Sequence, residues 1–266
     1  MNKPDYVIIG GGSAGCVLAN RLSANPNVNV VLLEAGGEDR NPLIHIPAGY
    51  VKTMVNPAIN WMFESEEEES SGNRRILHPR GKVMGGSSAI NAMLYVRGQS
   101  HDYDGWAQKG NPGWSYQDVL PYFRKAEFCE AQQTENMDAD LRGQSGPLNV
   151  AMVRNKYKAL DLVIKSAESL GYPHNPDYNG HDQHGFGYYQ VTQKNGVRHS
   201  AKKAYIDPIR KRSNLRIITR AHVTRLITEG RKVVGVEFQS AGKRQDIRPS
   251  REVILSAGAI QSPHIL

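Results

Sequence analysis

Residues 5–37 read DYVIIGGGSAGCVLANRLSANPNVNVVLLEAGG, and this stretch decides the predicted fold. Tyr6 to Ile9 form a short apolar run bounded by glycines, which is typical of a buried parallel strand. Residues 10–15 then give the spacing G-x-G-x-x-G, and helical apolar spacing follows them. Val28 to Leu33 predict a second strand, and Glu34 stands at its end, about 20 residues after the glycines. Together these features predict a dinucleotide-binding βαβ unit.

The residue types of this unit indicate a role for each key position. Gly10 permits the tight turn, Gly12 lets a pyrophosphate approach the backbone, and Gly15 lets the helix pack closely on the strand. The phosphates would meet N–H groups at the positive end of the helix dipole. Glu34 is predicted to accept hydrogen bonds from an adenosine ribose. NAD and FAD share this ADP half, so the first 36 residues leave both cofactors open.

The stretch that follows favours FAD. Residues 39–105 are irregular and show little periodicity, which is unusual in a compact domain unless the segment covers a ligand. Within them lies HPRGKVMGGSSAINAMLYVRG, residues 78–98, whose glycines allow the backbone to lie flat against a ligand. Ser87 or Ser88 is predicted to cap a short helix from Ala89 to Leu94. A second helix N-terminus facing the ligand suits a cofactor with a second electron-rich site.

Several motifs occur in collinear order along essentially the whole chain. They are residues 10–15, Glu34, the block Arg80 to Gly98, and the closing SAGAIQSPHIL from Ser256 to Leu266. In this order they resemble the glucose–methanol–choline (GMC) family of FAD-dependent oxidoreductases. GNPGWSYQDVLPYFRKAE (Gly110 to Glu127) and YYQVTQKNGVRHSAKKAYI (Tyr188 to Ile206) are similar to its choline and aliphatic alcohol dehydrogenase branch. The resemblance implies FAD as cofactor, a small-molecule alcohol as substrate and a separate electron acceptor.

The resemblance also implies which residues hold FAD. Val83 and the turn Gly85-Gly86-Ser87 would line the flavin, and Asn91, Ala92 and Met93 would run beside its ring and ribityl chain. The backbone of Val223 would contact the adenine, and Ala257 and Gly258 would return beneath the pyrophosphate. The implied cofactor-binding residues are Gly10, Gly12, Ser13, Ala14, Gly15, Glu34, Ala35, Arg80, Val83, Gly85, Gly86, Ser87, Asn91, Ala92, Met93, Val223, Ala257 and Gly258.

One position has a different residue type from that found in some members of the family. Some members tether FAD through a histidine just before the asparagine that matches Asn91, and here that position is Ile90. The resemblance therefore implies non-covalent FAD.

The implied fold class is α/β: an FAD-binding, Rossmann-like (doubly wound) domain with a small antiparallel β-sheet and the beginning of an α+β substrate domain, truncated. We expect residues 1–155 to form the first segment of the FAD-binding domain, with 39–105 as its cofactor-covering loop. Residues 156–205 are expected to begin the substrate domain, and 206–266 to return to an FAD-binding domain that is incomplete at its C-terminus.

The period of two from Leu215 onward predicts the small antiparallel sheet. Its expected strands are Leu215 to Thr219, Ala221 to Ile227, Val233 to Phe238 and Val253 to Leu255, with a hairpin turn at Thr228 to Lys232. After Ser256 the chain is expected to return to the nucleotide domain, and Ser262-Pro263 are expected to open a helix.

Other features favour ordinary structural roles. His181, Asp182 and His184 are predicted to form a surface turn rather than a metal site, and Phe63 to Asn73, with its run of glutamates, a solvated hairpin. Trp61 is assigned either to a substrate funnel, by family analogy, or to packing. The helical stripe Leu160, Val163, Ile164, Ala167 and Leu170 predicts a core-facing helix.

Composition excludes several classes of function. The net charge is +7 with scattered basic residues and no interleaved aromatics, so we expect no nucleic-acid partner. Cys16 and Cys129 have no redox or metal spacing and are predicted to be core residues in a reducing compartment. Because no apolar run is long enough for a membrane span, a cytoplasmic location is expected, with peripheral membrane association open.

Catalytic residues are expected to be absent from this chain. The resemblance places the catalytic histidine in a C-terminal half, and none of the nine histidines lies in a matching segment. The leading hypothesis is an N-terminal portion of a flavin-dependent alcohol dehydrogenase that supplies the FAD cradle. An NAD-dependent Rossmann oxidoreductase and a non-catalytic nucleotide-binding fragment completed by a partner chain stay open as alternatives.

Overall fold

The computed structural model describes residues 3–130 and 137–266. Within these residues the strands are β1 (Tyr6–Ile9), β2 (Val30–Glu34), β3 (Phe63–Glu64), β4 (Leu77–His78), β5 (Glu127–Cys129), β6 (Leu148–Met152), β7 (Gln190–Val191), β8 (Gln193–Lys194), β9 (Val197–Arg198), β10 (Leu215–Thr219), β11 (His222–Glu229), β12 (Lys232–Ser240), β13 (Lys243–Ile247) and β14 (Glu252–Leu255). The α-helices are α1 (Ser13–Leu22), α2 (Pro42–His45), α3 (Tyr50–Thr53), α4 (Ser100–Gln108), α5 (Tyr116–Ala126), α6 (Lys158–Ser169) and α7 (Gly258–Ile265).

The predicted βαβ unit is the centre of a four-stranded parallel sheet with the order β10-β2-β1-β14. Tyr6 pairs with Val30 on one side and with Glu252 on the other, so the last strand of the chain lies beside the first. The residues that follow β1, β2 and β14 therefore meet at one edge of the sheet. The α/β class is confirmed, and so are the strands predicted on either side of the glycine fingerprint.

One face of this sheet is covered by a three-stranded antiparallel sheet, β11-β12-β13. Their common core consists of Val7, Ile9, Val31, Leu33, Ala221, Val223, Val236 and Phe238. The hairpin turn at Thr228 to Lys232 is confirmed. The assignment of all four predicted strands to one antiparallel sheet is wrong, because β10 and β14 pair in parallel with β2 and β1. Strand periodicity predicts extended backbone but does not encode the neighbour that a strand finds.

The chain divides into two compact units. The first contains the residues up to Ala92 together with Ser200–Leu266, and the second contains Met93–His199. These boundaries differ from the expected ones at 155/156 and 205/206. The difference arises because β5 and β6, which precede residue 156, share a sheet with β7, which follows it.

Buried ion pairs organise the second unit. Glu127 accepts hydrogen bonds from the guanidinium groups of both Arg97 and Arg142, and Arg142 also pairs with Asp177. The side chains of Arg97, Arg142 and Glu127 are almost fully buried. Removing one partner of such a network leaves an uncompensated buried charge, which strongly destabilises a fold.

Two helix predictions need correction. The stripe on α6 is wrong as a core face: Leu160, Val163 and Leu170 are exposed, and Ala167 is the buried member. Periodicity indicates that a helix has an apolar face, but it does not indicate which part of the protein covers that face. The final helix begins at Gly258 rather than at Ser262, and its proline lies inside the helix.

Local features of the connecting segments agree better with prediction. The acidic run lies in the exposed hairpin of β3 and β4, as predicted. The turn with His181, Asp182 and His184 is largely exposed, and within the described ranges no cluster of three or more His, Cys, Asp or Glu residues is arranged to hold a metal ion. Cys16 and Cys129 are buried, as predicted for core residues. No helix in the described part of the chain has the length and apolarity needed to cross a bilayer.

Gly15 provides a test of the packing between α1 and β1. A Cβ atom at Gly15 would lie 1.9 Å from the carbonyl oxygen of Gly10, so Gly15→Ala is expected to lower the free energy of unfolding by about 1–3 kcal/mol. Urea unfolding followed by circular dichroism measures the change. The matched control is Gly105→Ala in α4, where a Cβ meets nothing within 4 Å and alanine favours the helix. Equal destabilisation by the two substitutions would contradict the packing argument.

Candidate functional site

The fingerprint turn connects β1 to α1 in three residues. Gly10 has a φ of +97°, a left-handed conformation that side chains rarely adopt. Gly12 precedes α1 in an extended conformation, and no side chain caps the first turn of the helix. The amide groups of that turn have no partner within the helix, and they carry the positive end of its dipole. The turn therefore has the features of an anion-binding helix N-terminus.

Glu34 is held at the carboxyl end of β2. Its Oε2 accepts a hydrogen bond from the N–H of Gly11 at 2.7 Å, and its Oε1 accepts one from the N–H of Gly36 at 2.8 Å. The side chain is 5% exposed. Burial raises the pKa of Glu34 from its ordinary 4.5 to about 7, against the opposing effect of these two donors and of Lys82. Each carboxylate oxygen still has a lone pair that can accept a hydrogen bond from a ribose hydroxyl.

A second glycine turn lies against the first. Gly85 and Gly86 have φ values of +94° and +54°, and the N–H of Gly85 donates to the carbonyl of Gly11 at 2.8 Å. A Cβ at Gly86 would lie 2.7 Å from the Cα of Gly12, so the two backbones are in direct contact. Only glycine permits an approach this close.

The helix predicted after this turn is wrong. Residues 86–89 form one turn of 3₁₀ helix, and Met93 has a φ of +64°, which ends any helical path. Neither serine caps a helix. Ser87 accepts a hydrogen bond from the N–H of Gly81, while the hydroxyl of Ser88 donates to the carbonyl of Gly85 and accepts from the N–H of Ala201. Local capping rules did not describe these serines, because the Ser87 hydroxyl bonds back to the preceding Gly81 and the Ser88 hydroxyl bonds to the distant Ala201.

The return of the chain after β14 completes the site. The N–H of Ser256 donates to the carbonyl of Ile9 at 2.9 Å, and a Cβ at Gly10 would lie 2.6 Å from the carbonyl oxygen of Ser256. Ala257 and Gly258 follow and open α7. On the other side, the N–H of Ala221 donates to the backbone carbonyl of Glu34, which places Val223 beside the end of β2.

These segments enclose a cavity of about 740 Å³. Most of the predicted cofactor-binding residues line it: Gly10, Gly12, Ser13, Ala14, Glu34, Ala35, Arg80, Gly86, Ser87, Val223, Ala257 and Gly258. Gly15 packs beneath the turn instead, as its predicted role requires. The other predicted residues do not line this cavity: Val83, Gly85, Asn91, Ala92 and Met93. Val83 is fully buried, and Met93 is the first residue of the second unit.

The sequence prediction missed one end of the cavity. Trp61, Phe63, His222 and His264 line it together with Val223. The Trp61 ring stacks on Phe63 and meets the His222 ring edge-on, and the Lys82 ammonium lies 4.5 Å from the centre of the Trp61 ring. Burial, followed by the positive charges of Lys82 and His264, lowers the pKa of His222. Trp61 thus lies in the cavity near Val223, whereas family analogy offers a substrate funnel for it.

The site contains the backbone amides and the carboxylate needed to bind a dinucleotide. The thiol of Cys16, which follows the fingerprint turn, is not a nucleophile. Burial, together with the negative charge of Glu34, raises the pKa of the Cys16 thiol to about 12, and its Sγ donates to the carbonyl of Gly11. A thiol with so high a pKa is unreactive at neutral pH. The cavity therefore offers backbone amides and a carboxylate rather than a nucleophilic thiol.

Comparison with known proteins identifies the family. The sequence profile of the GMC oxidoreductase family matches residues 4–266. The chain belongs to the GMC oxidoreductase family. It is 44% identical, over 98% of its length, to an oxygen-dependent choline dehydrogenase from Vibrio vulnificus, of which it covers 46%. It is 41% identical to an alcohol dehydrogenase (acceptor) from Pseudomonas putida, again over 98% of its length and covering 47% of that protein.

The fold of this GMC protein has close counterparts among solved structures. Pyridoxine 4-oxidase from Mesorbium loti superposes with a TM-score of 0.93 at 31% identity, over 99% of this chain and 51% of the other. An FAD-dependent oxidoreductase from Chaetomium thermophilum gives a TM-score of 0.89 at 30% identity, over 99% of this chain and 47% of the other. The chain therefore spans about half the length of the relatives that it matches.

Membership of this family decides the cofactor in favour of FAD over NAD, the alternative that the fingerprint left open. The residues present fit FAD. The backbone contact between Gly12 and Gly86 leaves the space above the first turn of α1 clear of side chains, which is what the approach of a pyrophosphate requires. When bound, FAD supplies the redox chemistry, and the chain supplies binding and orientation.

The raised pKa of Glu34 predicts a pH dependence of stability. The folded, unliganded chain holds the Glu34 proton more tightly than the unfolded chain, so its contribution to stability is present below pH 4.5 and is lost as the pH rises to about 7. The free energy of unfolding of the wild type should therefore fall over this window relative to Glu34→Gln. Each pKa unit corresponds to about 1.4 kcal/mol. Urea unfolding at several pH values measures the difference, and parallel profiles for the two proteins would contradict it.

Proposed function

We propose that this chain forms the FAD cradle of a flavin-dependent dehydrogenase that oxidises a choline-like or aliphatic alcohol to an aldehyde. The observation that carries the proposal is the convergence of the two glycine turns and Glu34 on one cavity. The identities to a choline dehydrogenase and an alcohol dehydrogenase support the substrate class.

Each part of the cavity has a proposed role in holding FAD. The amides of Gly12, Ser13 and Ala14 bind the pyrophosphate at the N-terminus of α1. Glu34 accepts hydrogen bonds from the ribose, and the backbone at Val223 contacts the adenine. The remaining predicted residues, Val83, Gly85, Asn91, Ala92 and Met93, are proposed to serve the flavin end. The start of the substrate domain is proposed to lie largely in the second unit, which contains most of residues 156–205.

The general base is proposed to lie outside these 266 residues. Oxidation of an alcohol requires a group that takes the hydroxyl proton while hydride leaves the carbon. The histidines that line the cavity, His222 and His264, lie beside Val223 and on α7, at the end assigned to adenine. We therefore expect the purified chain to show no alcohol-dependent reduction of an artificial electron acceptor when FAD is supplied. Turnover of choline or an aliphatic alcohol by the chain alone would overturn this part of the proposal.

FAD is proposed to bind without a covalent link. Ile90, at the position where a histidine would tether it, is 1% exposed and packs in a cluster with Ile44, Ile59, Val83 and Ala89. Its side chain has no nucleophilic atom. Acid precipitation of the FAD-loaded chain should release all the flavin into the supernatant, and flavin absorbance that stays with the pellet would contradict the proposal.

Gly12→Ala tests the FAD cradle directly. A Cβ at Gly12 would lie 3.9 Å from its nearest neighbour, the Cα of Gly86, so the substitution fits the unliganded fold. Its methyl group would occupy the space reserved for the pyrophosphate, and we expect FAD binding to weaken by at least about tenfold. Titration of flavin fluorescence measures the affinity, while urea unfolding should show little change. The Gly105→Ala protein serves as the control and should bind FAD as the wild type does. Wild-type affinity in Gly12→Ala would sink the proposed cradle.

A further inference from the structure

The Gly10–Gly11 peptide is one of the two peptides in the fingerprint turn that join consecutive glycines. It lies between two glycines, so neither neighbour has a Cβ atom that would resist rotation of the peptide plane. One orientation leaves the amide groups of the following residues to face the cavity. The opposite orientation would turn the Gly10 carbonyl oxygen towards the cavity, where it would repel a pyrophosphate.

Two side chains hold this peptide, one at each end. The N–H of Gly11 donates to Oε2 of Glu34 at 2.7 Å. The hydroxyl of Ser256 lies 3.1 Å from the carbonyl oxygen of Gly10 and 2.9 Å from that of Ile9, so its single proton is shared between two acceptors. A rotation of the peptide would break both bonds.

The backbone around Ser256 keeps its hydroxyl in place. The N–H of Ser256 donates to the carbonyl of Ile9, which extends the pairing of β14 with β1 by one residue. The Ser256 Oγ also lies 3.0 Å from the position that a Cβ of Gly15 would occupy. The hydroxyl is thus positioned by the parallel sheet at the point where the Gly10 carbonyl approaches α1.

We propose that Ser256 is a positioning residue for the cofactor: its hydroxyl holds the Gly10 carbonyl away from the pyrophosphate site and so preorganises the fingerprint turn. This inference rests on the proposed FAD binding. It goes beyond that proposal because it assigns a role to Ser256, which follows β14, and not to a residue of the fingerprint. The two consecutive glycines lose their conformational freedom when the protein folds. Cofactor binding therefore does not have to order them. The chain therefore needs its last strand to complete an anion site encoded at its beginning.

The test compares FAD binding to the wild type and to four variants by titration of flavin fluorescence. Ser256→Ala should weaken binding about five- to tenfold, the effect of one neutral hydrogen bond. Ser256→Thr retains a hydroxyl and should bind close to the wild type, whereas Ser256→Val, which has the same shape as threonine, should bind as the alanine variant does. Ser166→Ala is the control and should bind as the wild type does, since Ser166 is exposed on α6 and is not among the residues that line the cavity. Titration with ADP should show the same ranking, because the effect acts on the ADP half.

Three outcomes would overturn the inference. Wild-type affinity in Ser256→Ala would show that the turn is ordered without the hydroxyl. Equal binding by Ser256→Thr and Ser256→Val, with both folded by urea unfolding, would show that shape rather than the hydrogen bond matters. Absence of FAD binding by the wild type would contradict the cofactor cradle itself and this inference with it, whereas the first two outcomes leave the cradle intact.

Discussion

The approach of the Gly10 carbonyl to Gly15 sets how closely α1 lies on β1, and the candidate site depends on that separation. A Cβ at Gly15 would lie 1.9 Å from this oxygen, so no other residue permits the same distance. Because α1 is held close to the strand, its uncapped first turn opens at the carboxyl edge of the parallel sheet. The end of β2 brings Glu34 to the same edge.

Three further backbone contacts build on this arrangement. The turn at Gly85 and Gly86 rests on Gly11 and Gly12, and the return of the chain at Ser256 rests on Gly10. At Gly86 and at Gly10 a Cβ atom would clash with the backbone of the facing segment, so glycine is required at these two positions. The result is a cavity lined by the glycine turns and, near Val223, by the rings of Trp61 and Phe63 and by two histidines. Such a surface suits a large ligand with a charged centre and an aromatic end.

The buried carboxylate of Glu34 shows how this site balances stability against binding. Burial in the unliganded fold disfavours its charged form, and the two backbone donors offset this only in part. In the proposed complex with FAD, ribose hydroxyls would donate further hydrogen bonds to this carboxylate and offset part of the cost of burying its charge.

The sequence by itself determined the elements whose signals are local. The glycine spacing, the apolar run before it and the acid after it specified β1, α1 and β2, because each of these elements depends on the residues within it. Prediction from the sequence failed where a residue bonds or pairs with a segment far away along the chain. Ser88 bonds to Ala201 instead of capping a helix, and β10 and β14 join the parallel sheet rather than the antiparallel one. No sequence pattern indicates that Phe63, His222 and His264 line the cavity. Only the tertiary structure decided these points, because pairing and burial depend on which surfaces meet, and spacing along the chain does not encode that.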